Sequence, residues 1–241
     1  FTIIFFLQYL LIYARAYFIN IKNRGNKMVK FSKTSKLNAK SWSLNAGETC
    51  PGSIDKETKQ VLPVCSGCYA KGGNYRYPNV YNPREENRQQ WKESSFVNDM
   101  VNALKTERFF RWFDSGDIYH PALAFKIMLI IENTPWVNHW LPTKSYNIPK
   151  IRAILDRIEK LPNVALRYSS PNVNGLYDPA IHGSVVIPSI DFQTDAKICY
   201  AYENGGKCGN CFACYDKNVK TIAYVAHGRK MERVIKKQLA A

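Results

Sequence analysis

The sequence predicts an α/β fold on a largely parallel sheet, either a partial (β/α) barrel or an open sheet. Three observations predict it. Beyond residue 80, short apolar runs of strand character alternate with segments of helical period. The alternation recurs every ~25–30 residues, the length of a βα unit. The units are too few for a closed barrel of eight. In either arrangement a functional site is expected at the C-terminal ends of the strands.

The elements follow in chain order. From Pro83 to about Thr106, Trp91, Phe96, Met100 and Leu104 recur at helical spacing. Phe109–Phe113 is an aromatic run with strand character, ended by the turn Asp114-Ser115-Gly116-Asp117. Pro121 suits the first turn of a helix that Leu123 through Ile131 continues as a buried one. Val137–Pro142 reads as a strand and Ile148–Lys160 as an amphipathic helix, with Ile151, Ile154, Leu155 and Ile158 on one face. Val164–Tyr168, Val185–Ser189 and Thr221–Val225 read as further strands, and a basic helix, Lys230–Leu239, closes the chain. The strand ends carry Asp114 to Asp117, Lys144, Ser145, Ser169 to Asn172 and His227. Arg167 also lies near a strand end, where it and Lys144 are candidates to meet a carboxylate or phosphate. The same residue types are ordinary turn formers, helix caps and surface cations.

The chain has 241 residues, 46% of them hydrophobic and 22% charged, which is globular usage and excludes wholesale disorder. A formal net charge of +15 points to an anionic partner, nucleic acid or a membrane surface. Residues 1–19 are mostly apolar, but Gln8 and Arg15 interrupt them and no basic n-region or A-x-A site marks a signal peptide. Residues 1–27 are expected to be read-through or a dispensable extension ahead of Met28, leaving residues 28–241 as one domain. Membrane attachment is expected only if that extension is genuine. Within the domain, residues 68–198 are expected to form the barrel-like core, 199–215 a cysteine cluster and 216–241 a basic tail. The expected location is cytoplasmic.

Seven cysteines carry the chemistry. Cys50, Cys65 and Cys68 are spaced C-x14-C-x2-C; Cys199, Cys208, Cys211 and Cys214 are spaced C-x8-C-x2-C-x2-C. A C-x2-C turn sets two sulfurs on one side of a tight loop, as zinc and iron–sulfur sites both require. The triple repeat from Cys208 to Cys214 suits a 4Fe–4S cubane, for which Cys199 can supply the fourth thiolate. Three ligands in the first group would leave one iron open. Zinc, with Cys65 and Cys68 pairing two later cysteines, is the alternative. Disulfides fit least, because an odd number leaves one over and the expected compartment is reducing. None of the four histidines, His120, His139, His182 and His227, is assigned to metal.

The order of these motifs resembles the radical SAM enzymes: Cys65-Ser66-Gly67-Cys68-Tyr69-Ala70 before a helix, then a strand ending in Asp114-Ser115-Gly116-Asp117, then His120-Pro121 opening a helix. The first cysteine gap is fourteen residues here and three in that superfamily, and Gly67 stands where an aromatic residue usually precedes the last cysteine. The resemblance implies a partial (β/α) barrel and a 4Fe–4S cluster on Cys50, Cys65 and Cys68. It implies S-adenosylmethionine lined by Ser115, Gly116 and Asp117, with Lys144 nearby, and a reductant protein as partner. It also implies that the later cysteines hold an auxiliary cluster. The stretch from Ser41-Trp42-Ser43-Leu44 through Thr49-Cys50-Pro51-Gly52 to Phe110-Arg111-Trp112 is similar, more specifically, to the phage gene product eighty-eight family, a family of unassigned activity. That likeness covers most of residues 35–215 and implies the cytoplasm of a host cell.

The function expected from these readings is an iron–sulfur, radical SAM-like enzyme acting on an anionic or nucleic-acid substrate. The alternative is a non-catalytic zinc- or iron–sulfur-stabilised nucleic-acid-binding protein. Lys30, Lys33, Lys36 and Lys40, the basic residues of 217–241 and the aromatic loop Tyr75-Arg76-Tyr77 support it.

Overall fold

The computed structural model describes residues 29–240; the expected extension over residues 1–27 lies outside them. The strands are β1 (Ser32–Lys33), β2 (Lys40–Trp42), β3 (Phe109–Trp112), β4 (Asn138–Thr143), β5 (Val164–Tyr168), β6 (Ser184–Ile187), β7 (Lys197–Cys199) and β8 (Ile222–Val225). The helices are α1 (Pro63–Ser66), α2 (Pro78–Gln90), α3 (Phe96–Ala103), α4 (Pro121–Glu132), α5 (Pro149–Ile158) and α6 (Arg229–Leu239). Proline opens α1, α2, α4 and α5, where its missing N–H costs no intrahelical bond.

The architecture is mixed α/β with a mostly parallel sheet. β1 to β5 lie side by side in chain order; only the β1–β2 pairing is antiparallel. β6, β8 and β7 form a second, parallel sheet. A single parallel bridge, Ser169 to Ser184, joins the two at the end of β5. The strand order does not close into a barrel. Among the described residues no helix is long and apolar enough to cross a membrane.

Two layers cover the first sheet. On one face Phe110, Trp112, Leu141 and Val164 join Leu123, Ile127, Ile131, Ile151 and Leu155 of α4 and α5 in the main core. On the other, Phe109 and Trp140 meet Tyr215, Cys208 and Cys214 of the C-terminal cysteine segment. The side-chain alternation of β3 and β4 therefore divides the molecule into a helical core and a cysteine-bearing face.

The single helix expected from Pro83 to Thr106 is two helices. The chain leaves α2 at Trp91 and enters α3 at Phe96. The ammonium of Lys126 takes up the released carbonyls of Trp91 and Glu93, at 2.8 and 2.7 Å. Pro83 lies in the second turn of α2 and does not start it. The other expected elements stand within two residues of their observed ends. β1, β2 and β7, two or three residues each, carry no periodic signal.

Candidate functional site

The first three cysteines sit on loops that meet over the C-terminal ends of β2 to β5. The loop after β2 carries Cys50 and is tied to the turn after β3 by backbone bonds, Leu44 N–H to the Ser115 carbonyl at 3.1 Å and Asp117 N–H to the Thr49 carbonyl at 3.0 Å. Gly52 lies flat on the end of β4, where a Cβ would stand 2.3 Å from the Lys144 carbonyl oxygen. α1, which carries Cys65, is anchored beyond β5 by a bond from Val64 N–H to the Pro171 carbonyl, 3.1 Å. Cys50 comes within electrostatic reach of Asp117, Cys65 and Cys68. The fourteen-residue gap is thus taken up by a loop that leaves Cys50 within electrostatic reach of the other two thiols.

Burial pushes the Cys50 thiol up to about 12, with Asp117 adding to it. Burial also raises Cys65, against the pull of Lys144. Burial therefore holds both thiols protonated at neutral pH.

The acidic turn is the hub that holds these loops. Asp114 accepts from Ser43 Oγ, from Tyr75 Oη at 3.3 Å and from Arg84 Nη2 at 2.8 Å, and its carbonyl accepts from Tyr69 Oη at 3.0 Å. Ser115 Oγ donates to the Leu44 carbonyl at 2.7 Å and accepts from Arg84 Nε at 2.8 Å. Gly116 has φ +75°, and a Cβ there would meet Leu44 Cβ at 2.6 Å and Thr49 Oγ1 at 2.8 Å. Asp117 is buried, and burial raises its pKa against three donors. Those donors are Ile118 N–H at 2.7 Å and Thr143 Oγ1 at 2.6 Å on Oδ1, and Lys144 N–H at 2.8 Å on Oδ2. One acceptor position remains, on Oδ2.

Ser115 and Gly116, singled out from sequence as lining a cofactor, face the protein's own loops. Asp117 faces the thiols. Lys144 is in electrostatic reach of Cys65. Sequence reading missed Arg84 and the inward bonds of Tyr69 and Tyr75 to Asp114. The spacing of an aromatic pair behind Cys68 followed by an arginine in the next helix was the available signal.

Of the last four cysteines, Cys208 and Cys214 pack on the other face of the first sheet and Cys199 ends β7 of the second. Cys208 senses Cys199 and Cys211, and Cys214 senses Cys199 and Cys208. Burial pushes Cys214 up to about 11, against a hydrogen bond with Tyr224 at 3.2 Å. Arg167, a sequence candidate for substrate anions, is spent on this segment. Its guanidinium donates to the carbonyls of Ala213 and Asp216 at 2.8 Å, Cys214 at 3.0 Å and Val219 at 2.8 Å. Lys30 and Lys40, proposed nucleic-acid contacts, face Glu86 at 3.9 Å and Glu107 at 2.9 Å. Tyr75 is turned inward to Asp114, while Tyr77 stays exposed.

Electrostatic reach thus links Cys50 with Cys65 and Cys68, and Cys208 with Cys199 and Cys211. All seven are free thiols. Among the described residues, no three or more His, Cys, Asp or Glu side chains are arranged to hold one metal ion. The donor sets nonetheless fit clusters in chemistry: thiols only, gathered from distant segments onto buttressed loops.

No curated protein and no solved structure matches the chain. The sequence model of the gene product 88 family matches residues 19–217, a span that takes in both cysteine groups, the acidic turn and the whole first sheet. The chain belongs to the gene product 88 family.

Proposed function

We propose that the protein is an iron–sulfur enzyme of radical SAM type on an open, partial (β/α) barrel, with two 4Fe–4S clusters. Cys50, Cys65 and Cys68 hold the first and leave one iron open. Cys199, Cys208, Cys211 and Cys214 hold the second. The observation that carries this reading is electrostatic reach among the thiols, Cys50 with Cys65 and Cys68 beyond the C-terminal strand ends of the first sheet, and Cys208 with Cys199 and Cys211 on the far side of that sheet. When bound there, S-adenosylmethionine and a reduced cluster supply a 5′-deoxyadenosyl radical. Asp117 offers its one remaining acceptor position to an ammonium group, a charge-assisted bond in a dry site. Ser43, Arg84 and Tyr69 hold the acidic turn still and so fix that carboxylate against the thiols. The burial of Cys50 keeps water from the cluster's protein side.

The test is anaerobic reconstitution of the full chain, with iron, sulfide and zinc analysis and EPR of the dithionite-reduced protein. The expected result is about eight irons and as many sulfides per chain, an EPR signal that changes on adding S-adenosylmethionine, and release of 5′-deoxyadenosine. The C50S/C65S/C68S variant should keep about half the iron and lose the response to S-adenosylmethionine. Zinc without sulfide overturns the reading and favours the non-catalytic alternative.

A further inference from the structure

Arg111 lies on β3, facing away from the helical core. Its cross-strand partner is Trp140, directly opposite in the β3–β4 register. The guanidinium stacks on the Trp140 ring, 4.4 Å from its centroid. Burial pulls its pKa down, but Tyr69, Asp114, Tyr224 and Tyr75 more than restore it, so it is raised and the residue is a cation at every working pH. Tyr69 and Tyr75 belong to the loops of the first cysteine group. Tyr224 belongs to the surroundings of the second, and Cys208 also senses Arg111. Arg111 therefore stands between the two groups.

Among the described residues no carboxylate forms an ion pair with this cation. Asp114 is the one carboxylate among the groups that hold its pKa up, and that carboxylate is already paired with Arg84 at 2.8 Å and bonded to Ser43 and Tyr75. Two guanidiniums thus share one carboxylate, and the second is left over. Arg111 Nε is buried and makes no hydrogen bond among the described residues. The same holds for Trp140 Nε1 and Tyr215 Oη, on the same face of the sheet. Three buried donor groups without an acceptor, one of them on a cation, are costly unless an anion completes them. Arg167, the other guanidinium of this face, is fully engaged by carbonyls and cannot serve.

We propose that Arg111 recognises a carboxylate or phosphate group of the substrate at the sheet face between the two cysteine groups. The planar fork of a guanidinium, held flat on an indole, matches the paired oxygens of either group. The inference rests on the cluster reading, because clusters on both sides make this face the place of reaction.

The experiment is thermal unfolding of the anaerobically reconstituted full chain, titrated separately with inorganic phosphate and with acetate, chloride holding the ionic strength constant. Wild type should show a saturable rise in Tm with at least one ion, and the ion that acts tells phosphate from carboxylate. R111K keeps the charge but loses the fork, and should weaken the half-saturating concentration roughly tenfold. R111Q should abolish the rise. Because R111Q removes a buried charge and can fail to fold, R111K carries the test by itself if it does. No rise in wild type with either ion, or an unchanged half-saturation in R111K, overturns the proposal. Iron and sulfide are measured on the same samples. Full clusters without anion binding refute Arg111 recognition alone, whereas zinc in place of iron refutes the cluster reading whatever the anions do.

Discussion

His139 is a fully buried polar side chain of the helical core, and its bonds define its tautomer. Trp112 Nε1–H donates to Nδ1 at 3.3 Å, so the proton sits on Nε2, which faces Thr134 Oγ1 at 2.9 Å. Thr134 in turn donates to the Ile130 carbonyl at 2.7 Å. No acceptor remains for a second imidazole proton, and burial drives the pKa down to about 3. The native state therefore stays neutral at His139 while an unfolded chain protonates near the ordinary histidine value. Above that value the residue has no effect on the pH dependence of stability. Below it, stability falls as pH falls, by roughly 1.4 kcal/mol per pH unit from this group, until the native pKa is reached. Asp117, raised by burial, acts in the opposite direction. Comparison with H139Q isolates the histidine term, since glutamine can accept from Trp112 and donate to Thr134. Urea unfolding from pH 7 to 4 should show a shallower loss in H139Q than in wild type, and equal slopes would refute the assignment.

β5 and the 3₁₀ turn Ala213–Tyr215 depend on Arg167 in a way that length and hydropathy do not reveal. A guanidinium surrounded by the carbonyls of four loop residues replaces the secondary structure that this cysteine-rich segment lacks. R167K offers three donors from one point in place of a planar fork, and leaves several buried carbonyls unpaired. It should destabilise the chain by about 3 kcal/mol. It should also expose Cys214, so that a thiol reagent modifies one cysteine faster in R167K than in wild type. Unaltered Cys214 reactivity would mean that the loop is held by other contacts. The main strands and helices were legible in the sequence because their cores are periodic: Ile151, Leu155 and Ile158 mark α5, and the apolar run Val164–Tyr168 marks β5. The break between α2 and α3 was not, because it depends on Lys126, distant in sequence, reaching the freed carbonyls. β2 was hidden because only three residues pair, although Trp42 is at the centre of the core.

The first sheet is what brings the two halves of the chemistry together. Its C-terminal edge receives the loops of Cys50, Cys65 and Cys68, and its face opposite the helices receives Cys208 and Cys214, so Arg111 on the central strand lies between them. The C-x2-C turns and the order of the cysteines were legible in the sequence. The roles of Ser115 and Arg167 were not, because a strand-end position says nothing about which neighbour has already used a side chain. The closing helix α6 shows the same limit. Its basic residues suggest a tail for nucleic acid, yet Met231, Val234, Ile235 and Gln238 form a half-buried stripe at helical spacing. Met231 lies over Gly67, where a Cβ would come within 3.0 Å of its sulfur, and Gln238 Oε1 accepts from Val173 N–H at 3.0 Å. α6 thus covers α1 and the loop between Cys65 and Cys68. Removing residues 227–241 should cost only about 2 kcal/mol, the burial of three partly exposed apolar side chains. Cys65, whose thiol burial holds above the ordinary value, should then react with iodoacetamide at least about tenfold faster. Cys214, beneath the other face, should keep its protection. Mass spectrometry of alkylated peptides separates the two sites, and equal acceleration at both would mean that the truncation loosens the whole fold and that α6 is no specific cover for the first cysteine group.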